Sequence, residues 1–103
     1  MTQVFCCALR VEILIPGCTN LKAKRAVIRP LMEGIRNRHH ASVAEVGLQD
    51  TWGRSVFAVA VVSGAEHVAV EILDEVERFV WSWPEIEIVS CQRAWLDDLE
   101  FES

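Results

Sequence analysis

The sequence predicts an α+β fold in which two helices cover one face of a four-stranded antiparallel sheet. Four segments read as strands, by alternation of apolar residues or by a run of them, and apolar residues recur at helical spacing in two others. Their order along the chain is strand, helix, strand, strand, helix, strand, which is the ferredoxin-like βαββαβ arrangement. Right-handed crossovers then give the strand order 4-1-3-2. The 103 residues are expected to form one domain, with a core over about 3–92 and an acidic tail over 94–103.

The first strand and the first helix have the clearest patterns. Every odd-numbered residue from Phe5 to Ile15 is apolar, so a strand is predicted over residues 4–15, and Pro16-Gly17 ends it. A helix is predicted from about 21 to 38, with Asn20 as its N-cap. One side of this helix is apolar, and the opposite side carries a polar stripe about 80° wide.

The second half of the chain reads as a hairpin, a helix and a last strand. Strands are predicted over 42–49 and 54–62, with a four-residue turn at 50–53. In that register Val46 and Ala44 point to the core, and Glu45 points away from the helices. The pattern Ser63-x-x-Glu66 resembles a capping box that opens a helix through about 82. The last strand is predicted over 85–91.

One face of such a sheet has no helix over it, and its predicted residues are small and apolar. A flat apolar surface of several hundred Å² rarely stays exposed on a monomer. We therefore expect a homodimer or a higher homo-oligomer, with an ordinary exposed sheet as the alternative. Strands one and three display no aromatic residue there, which disfavours base stacking on the sheet. The predicted oligomer face consists of Val4, Cys6, Ala8, Val56, Ala58, Ala60 and Val62.

Charge is segregated along the chain. Six of the ten basic residues lie between positions 22 and 38, in a protein whose net charge is −5. A cationic element on an anionic body attracts anionic partners, so the first helix is a candidate site for RNA or a small anion. The alternative is a solvated face that pairs with acidic residues of the same chain or of a second subunit. The candidate binding residues are Lys22, Lys24, Arg25, Arg29 and Arg36.

A second polar cluster is predicted around the hairpin, at Glu45, Asp50, Trp52 and Arg54. A carboxylate near an arginine supports acid–base chemistry, but cross-strand salt bridges use the same residues. The sequence shows no nucleophile, phosphate loop or metal-ligand set beside them, so no catalytic residue, metal or cofactor is predicted. Lys24 is expected to extend towards the end of the sheet, where an ion pair with Glu45 is conceivable.

The cysteine pattern and the apolar runs point to a cytoplasmic protein. The four cysteines have neither C-x-x-C nor zinc spacing, so they are predicted to be free thiols. No apolar run approaches the ~20 residues of a membrane span. The N-terminus also lacks the basic leader of a signal peptide, so no membrane association is expected.

Three motifs are similar to those of the YlxP-like family of small bacterial proteins. They are Leu21-Lys22-Ala23-Lys24-Arg25, the stretch Ser42-Val43-Ala44-Glu45-Val46-Gly47, and Asp50-x-Trp52-x-Arg54-Ser55. The resemblance covers about residues 4–90. It implies a ferredoxin-like fold and a cytoplasmic role near ribosomes or RNA, and it carries no catalytic assignment. By position, it implies that Lys22, Lys24, Arg25, Glu45, Asp50, Trp52 and Arg54 are the characteristic polar residues.

Three functional hypotheses follow from the sequence. The first is a non-enzymatic protein that contacts RNA or a ribosome-associated partner through its basic helix. The second is a small-ligand protein or enzyme with a site where Lys24, Glu45 and Arg54 meet. The third is a structural homo-oligomer that does not bind nucleic acid.

Overall fold

A computed structural model describes residues 2–96 and 100–101. The described elements are β1 (Thr2–Gln3), β2 (Phe5–Leu14), α1 (Leu21–His39), β3 (Ser42–Gly47), β4 (Arg54–Ser63), α2 (Glu66–Trp81), β5 (Glu87–Leu96) and β6 (Glu100–Phe101). The four long strands form one antiparallel sheet, and both helices pack on the same face of it. The predicted α+β class and the four-stranded antiparallel sheet are confirmed.

The strand numbering of the prediction needs correction. The order 4-1-3-2 assumed four strands, whereas the sheet reads β3-β4-β2-β5, and β1 pairs with β6 in a separate two-stranded sheet. The two central strands are those predicted at 4–15 and 54–62. The pattern missed β1 and β6 because a strand of two residues is too short to show a periodicity.

Helix α1 is built as its sequence predicts. The Asn20 side chain accepts a hydrogen bond from the Ala23 amide at 2.8 Å, which satisfies one of the free donors of the first turn. Ile28, Leu31 and Ile35 are buried against the sheet and α2. The helix ends at His39 and is capped by His40, a left-handed residue whose amide donates to the Arg36 carbonyl.

The capping box predicted for α2 is absent. Strand β4 continues through Ser63, so the helix begins at Glu66 with Ala65 at the N-cap position and without a side-chain cap. The Ser63 hydroxyl accepts instead from the Ala65 amide at 3.2 Å, which closes the short turn between strand and helix. The prediction failed because pairing with β2 extends strand β4 over Ser63, the residue expected to cap the helix.

The predicted register of β3 is wrong by one residue over most of its length. Val43 pairs with Val59 and Glu45 with Phe57, and a β-bulge then brings Gly47 opposite Val56. A shift of one residue exchanges the two faces of a strand. Val43 is therefore buried, Ala44 and Val46 are exposed, and Glu45 points towards the helices.

Strand β5 is longer than predicted. It runs to Leu96, because Trp95 pairs with Cys7 and Leu96 with Cys6 on the neighbouring strand. Positions 94–96, assigned to the acidic tail, therefore belong to the sheet. Of the remaining tail, residues 97–99 and 102–103 lie outside the described part of the chain.

Candidate functional site

The outer face of α1 presents an aligned set of cationic side chains. Lys22, Arg25, Arg29 and Arg36 are all exposed. At about 100° per residue these four positions fall within about 60° of each other around the helix, and they extend over about 21 Å along it. The structure therefore brings four of the five predicted binding residues onto one surface.

These four side chains have no acidic partner within 4 Å in residues 2–96. The Arg36 guanidinium donates to the Val43 carbonyl at 2.9 Å, which fixes it beside edge strand β3. Pairing with acids of the same chain, one of the alternatives for this stripe, is therefore not seen among the described residues. The charge of this surface remains available to a partner.

Two open depressions lie along the same face. The first, of about 440 Å³, is lined by Lys22, Arg25, Ala26, Arg29 and Pro30. The second, of about 360 Å³, lies between α1 and β3 and is lined by Arg25, Ile28, Arg29, Met32, Glu33, Arg36 and Glu45. Both are open to solvent rather than enclosed, so they are suited to an extended ligand that lies across the surface.

Lys24, the fifth predicted binding residue, is buried beneath this face and is only 1% exposed. Its ammonium donates to the carbonyls of Leu48 at 2.7 Å, Thr51 at 2.8 Å and Gln49 at 3.2 Å. It also pairs with the Glu45 carboxylate at 2.9 Å, so the conceivable ion pair is confirmed. An ammonium has three N–H donors, and four oxygens already surround this one. Lys24 therefore anchors the β3–β4 hairpin to α1.

Glu45 completes this internal network. Its carboxylate also accepts from the Ser55 hydroxyl at 2.6 Å, and its carbonyl accepts from the Gln49 side chain at 3.1 Å. Leu48 adopts a left-handed conformation with φ of 57°, and its carbonyl also accepts from the Thr51 amide. The loop carbonyls consequently converge on Lys24.

The predicted meeting of Lys24, Glu45 and Arg54 does not occur. Arg54 pairs across the sheet with Leu14, and its guanidinium is bonded to Glu12 on the face that the helices leave uncovered. Lys24 and Glu45 lie on the helix side of the same sheet. Asp50 and Trp52 are exposed in the hairpin loop, so the predicted polar cluster is divided between two faces and a loop.

An ion-pair cluster between β5 and α2 was not predicted from the sequence. Arg93 on β5 bonds Asp74 at 2.8 Å and Glu77 at 3.3 Å on α2. Burial alone would lower the pKa of Arg93, but the hydrogen bonds and charges of these two carboxylates raise it above its ordinary value. Arg93 was missed because it was placed between the last predicted strand and the tail. Its contacts tie β5 to α2.

The environment of the nearby Cys91 thiol favours its protonated form. Burial, followed by the charge and hydrogen bond of Glu77, raises its pKa to about 11. Burial also raises the pKa of Cys7. All four cysteines are free thiols.

The predicted oligomer face is partly exposed. Ala60 and Val62 are exposed, Val4, Cys6, Ala8 and Ala58 are partly buried, and Val56 is buried. Within the described residues no three metal-binding side chains lie together, and neither helix there is long and apolar enough to cross a bilayer.

Two comparisons with known proteins give the same answer. A family model described as "Protein of unknown function (DUF503)" matches residues 6–93. The uncharacterized protein YlxP of Bacillus subtilis (strain 168) is 36% identical over 84 residues, which cover 82% of this chain and 91% of YlxP. The match includes both helices and the four-stranded sheet except for Phe5 and residues 94–96.

Proposed function

This chain belongs to the DUF503 family, to which no function is assigned, and we propose that it is a non-enzymatic protein that binds the phosphate backbone of RNA through α1. The observation that carries this proposal is the set of four exposed, aligned cations without acidic partners among the described residues. Lys and Arg side chains that neutralise phosphates release counterions, and this release drives binding to nucleic acids.

The shape of the surface favours an extended polyanion over a single small anion. A compact anion site needs several donors that converge on one point, and the cations of α1 are instead spread over about 21 Å. The one buried ammonium, that of Lys24, is already occupied by protein oxygens. A backbone with repeated phosphates can contact several of the exposed cations at the same time.

Contact with phosphates alone predicts weak sequence preference. Backbone contacts position a nucleic acid, whereas base contacts specify its sequence. The central strands display Cys6, Ala8, Ala58 and Ala60 on the open face, so they offer no aromatic platform for bases. We therefore expect similar affinities for single-stranded RNAs of equal length and different sequence.

The proposal is tested by titrating a labelled single-stranded RNA with the full chain over a series of salt concentrations. With about four phosphates neutralised, the slope of log K against log salt is expected to be about −2.8. Affinity then falls about 50-fold between 50 and 200 mM salt. Arg29→Ala should reduce the magnitude of the slope by about 0.7.

Arg78→Ala is the matched control, since Arg78 is also an exposed helical arginine but lies on α2. It changes the net charge equally and should leave the slope unchanged. Absence of binding at low salt, or equal effects of the two variants, would refute the proposal. Pelleting with ribosomes under the same conditions shows whether the RNA contacted is ribosomal.

A further inference from the structure

The loop between β3 and β4 holds a large aromatic side chain out into solvent. Trp52 is 54% exposed, and its indole is the largest apolar group of the loop. Within residues 2–96 its ring stacks on no other aromatic ring. A single exposed apolar side chain is common on protein surfaces, so the setting of Trp52 decides what it can do.

The backbone on both sides of Trp52 is fixed by hydrogen bonds. The Thr51 carbonyl accepts from the buried Lys24 ammonium at 2.8 Å, and the Gly53 carbonyl accepts from the Ile15 amide at 2.8 Å. These bonds fasten the loop to α1 on one side and to the end of β2 on the other. An aromatic ring on a fixed backbone has little freedom to lose when it is covered by a ligand, so the entropic cost of binding is small.

Trp52 lies at the same end of the molecule as the first cations of α1. Lys24 belongs to the first turn of that helix, between the exposed Lys22 and Arg25. Its extended side chain is about 6 Å long, so its 2.8 Å contact with the Thr51 carbonyl keeps the Cα atoms of Lys24 and Trp52 within about 13 Å of each other. A few nucleotides of an extended strand can cover this distance.

We propose that the ligand of α1 is single-stranded RNA, with one base stacked on Trp52 and the backbone continuing from Lys22 along the exposed cations of the helix. This inference rests on the RNA binding proposed for α1. Proteins that bind single strands combine a cationic path for the backbone with aromatic side chains for the bases. Such stacking tolerates any sequence, because every base has an aromatic face. In a duplex the bases are paired and stacked on one another, so their faces are not open to a side chain.

The charge of the loop favours a base over a phosphate at this point. Asp50 is exposed two residues before Trp52, and within residues 2–96 no basic side chain lies within 4 Å of its carboxylate. A phosphate beside this carboxylate would be repelled, whereas a base carries no charge. The helix is therefore suited to the backbone of the strand and the loop to one of its bases.

The test titrates a single-stranded RNA and a duplex of the same length with the full chain over a series of salt concentrations. Trp52→Ala should weaken binding of the single strand by about 5- to 150-fold. Its salt slope should remain that of the wild type, because no phosphate contact is removed. Its affinity for the duplex should be unchanged. Trp52→Phe keeps an aromatic ring and should recover most of the lost affinity.

Trp81→Ala is the matched control, because Trp81 is 61% exposed but lies on α2. It should bind both RNAs as the wild type does, and urea unfolding checks that each variant is folded. If Trp52→Ala bound the single strand as tightly as Trp81→Ala while Arg29→Ala still reduced the salt slope, this inference would be wrong and RNA binding by α1 would stand. If the wild type bound neither RNA at low salt, both proposals would be wrong. An equal loss for the single strand and the duplex would overturn the stacking of a base on Trp52.

Discussion

Replacing Lys24 by methionine tests the central packing argument of this structure. Methionine keeps the length and most of the apolar volume of the lysine stem but removes the ammonium. The loss leaves the Glu45 carboxylate without its cation and the carbonyls of Leu48 and Thr51 without their 2.7 and 2.8 Å contacts. The Glu45 carboxylate keeps only its hydrogen bond from the Ser55 hydroxyl.

The magnitude follows from the burial of the pair. Removing one partner of a buried ion pair costs about 3–5 kcal/mol, since the remaining charge stays desolvated. The Glu45 side chain is 19% exposed and can gain some hydration, so we expect the lower end, about 3 kcal/mol. The total free energy of unfolding of a small domain is about 5–15 kcal/mol, so Lys24→Met should be folded but strongly destabilised.

The assay is urea unfolding followed by fluorescence of the four tryptophans. Lys22→Met is the matched control, because Lys22 lies two residues earlier on the same helix and is exposed. Its free energy of unfolding should change by no more than about 0.5 kcal/mol. If Lys24→Met were as stable as Lys22→Met, the buried ammonium would not stabilise the packing of the β3–β4 hairpin against α1.

Two further predictions concern other parts of the core. The pKa of the Cys91 thiol is ordinarily about 9.0, as in an unfolded chain, and burial raises it to about 11 in the folded protein, so between these pH values the unfolded chain has lost a proton that the folded chain keeps. The free energy of unfolding should therefore fall as the pH rises from about 9 to about 11. The urea midpoint should fall less over this range in Cys91→Ser than in the wild type. An equal fall in the two proteins would contradict this prediction. In α1, a Cβ on Gly34 would lie 2.6 Å from the Phe79 ring, so Gly34→Ala should destabilise the fold by about 1–2 kcal/mol despite its better helix propensity. A Cβ on Gly64 would have no atom within 4 Å, so Gly64→Ala is the control. Equal unfolding midpoints for the two variants would show that the Phe79 ring moves aside freely.

Local patterns were sufficient for the two helices, for the existence of the four long strands and for the charged surface. The alternation in β2 and the apolar side of α1 follow from residues a few positions apart, and so does the N-cap at Asn20. The basic stripe is also a local property, because helical spacing alone places Arg25, Arg29 and Arg36 on one side. These features could be predicted because each depends on neighbours along the chain.

Features that depend on distant residues could not be predicted in the same way. The hairpin pattern predicted a register with Ala44 and Val46 in the core, whereas the structure has the register that brings Glu45 to Lys24 and buries Val43. Likewise, Arg54 is adjacent to the hairpin in sequence, yet it bonds Glu12 on the other side of the sheet.

The amino-acid order was thus enough to establish the class of fold, its two helices and a cationic outer surface, since periodicity and charge are read over a single turn or a few strand positions. Which face of β3 is buried, which oxygens surround Lys24 and how far β5 extends emerged only from the folded chain. The physical reason is that these outcomes require groups such as Lys24 and Leu48, 24 positions apart, to satisfy one another at the same time. A competing register differs from the observed one only through such long-range contacts.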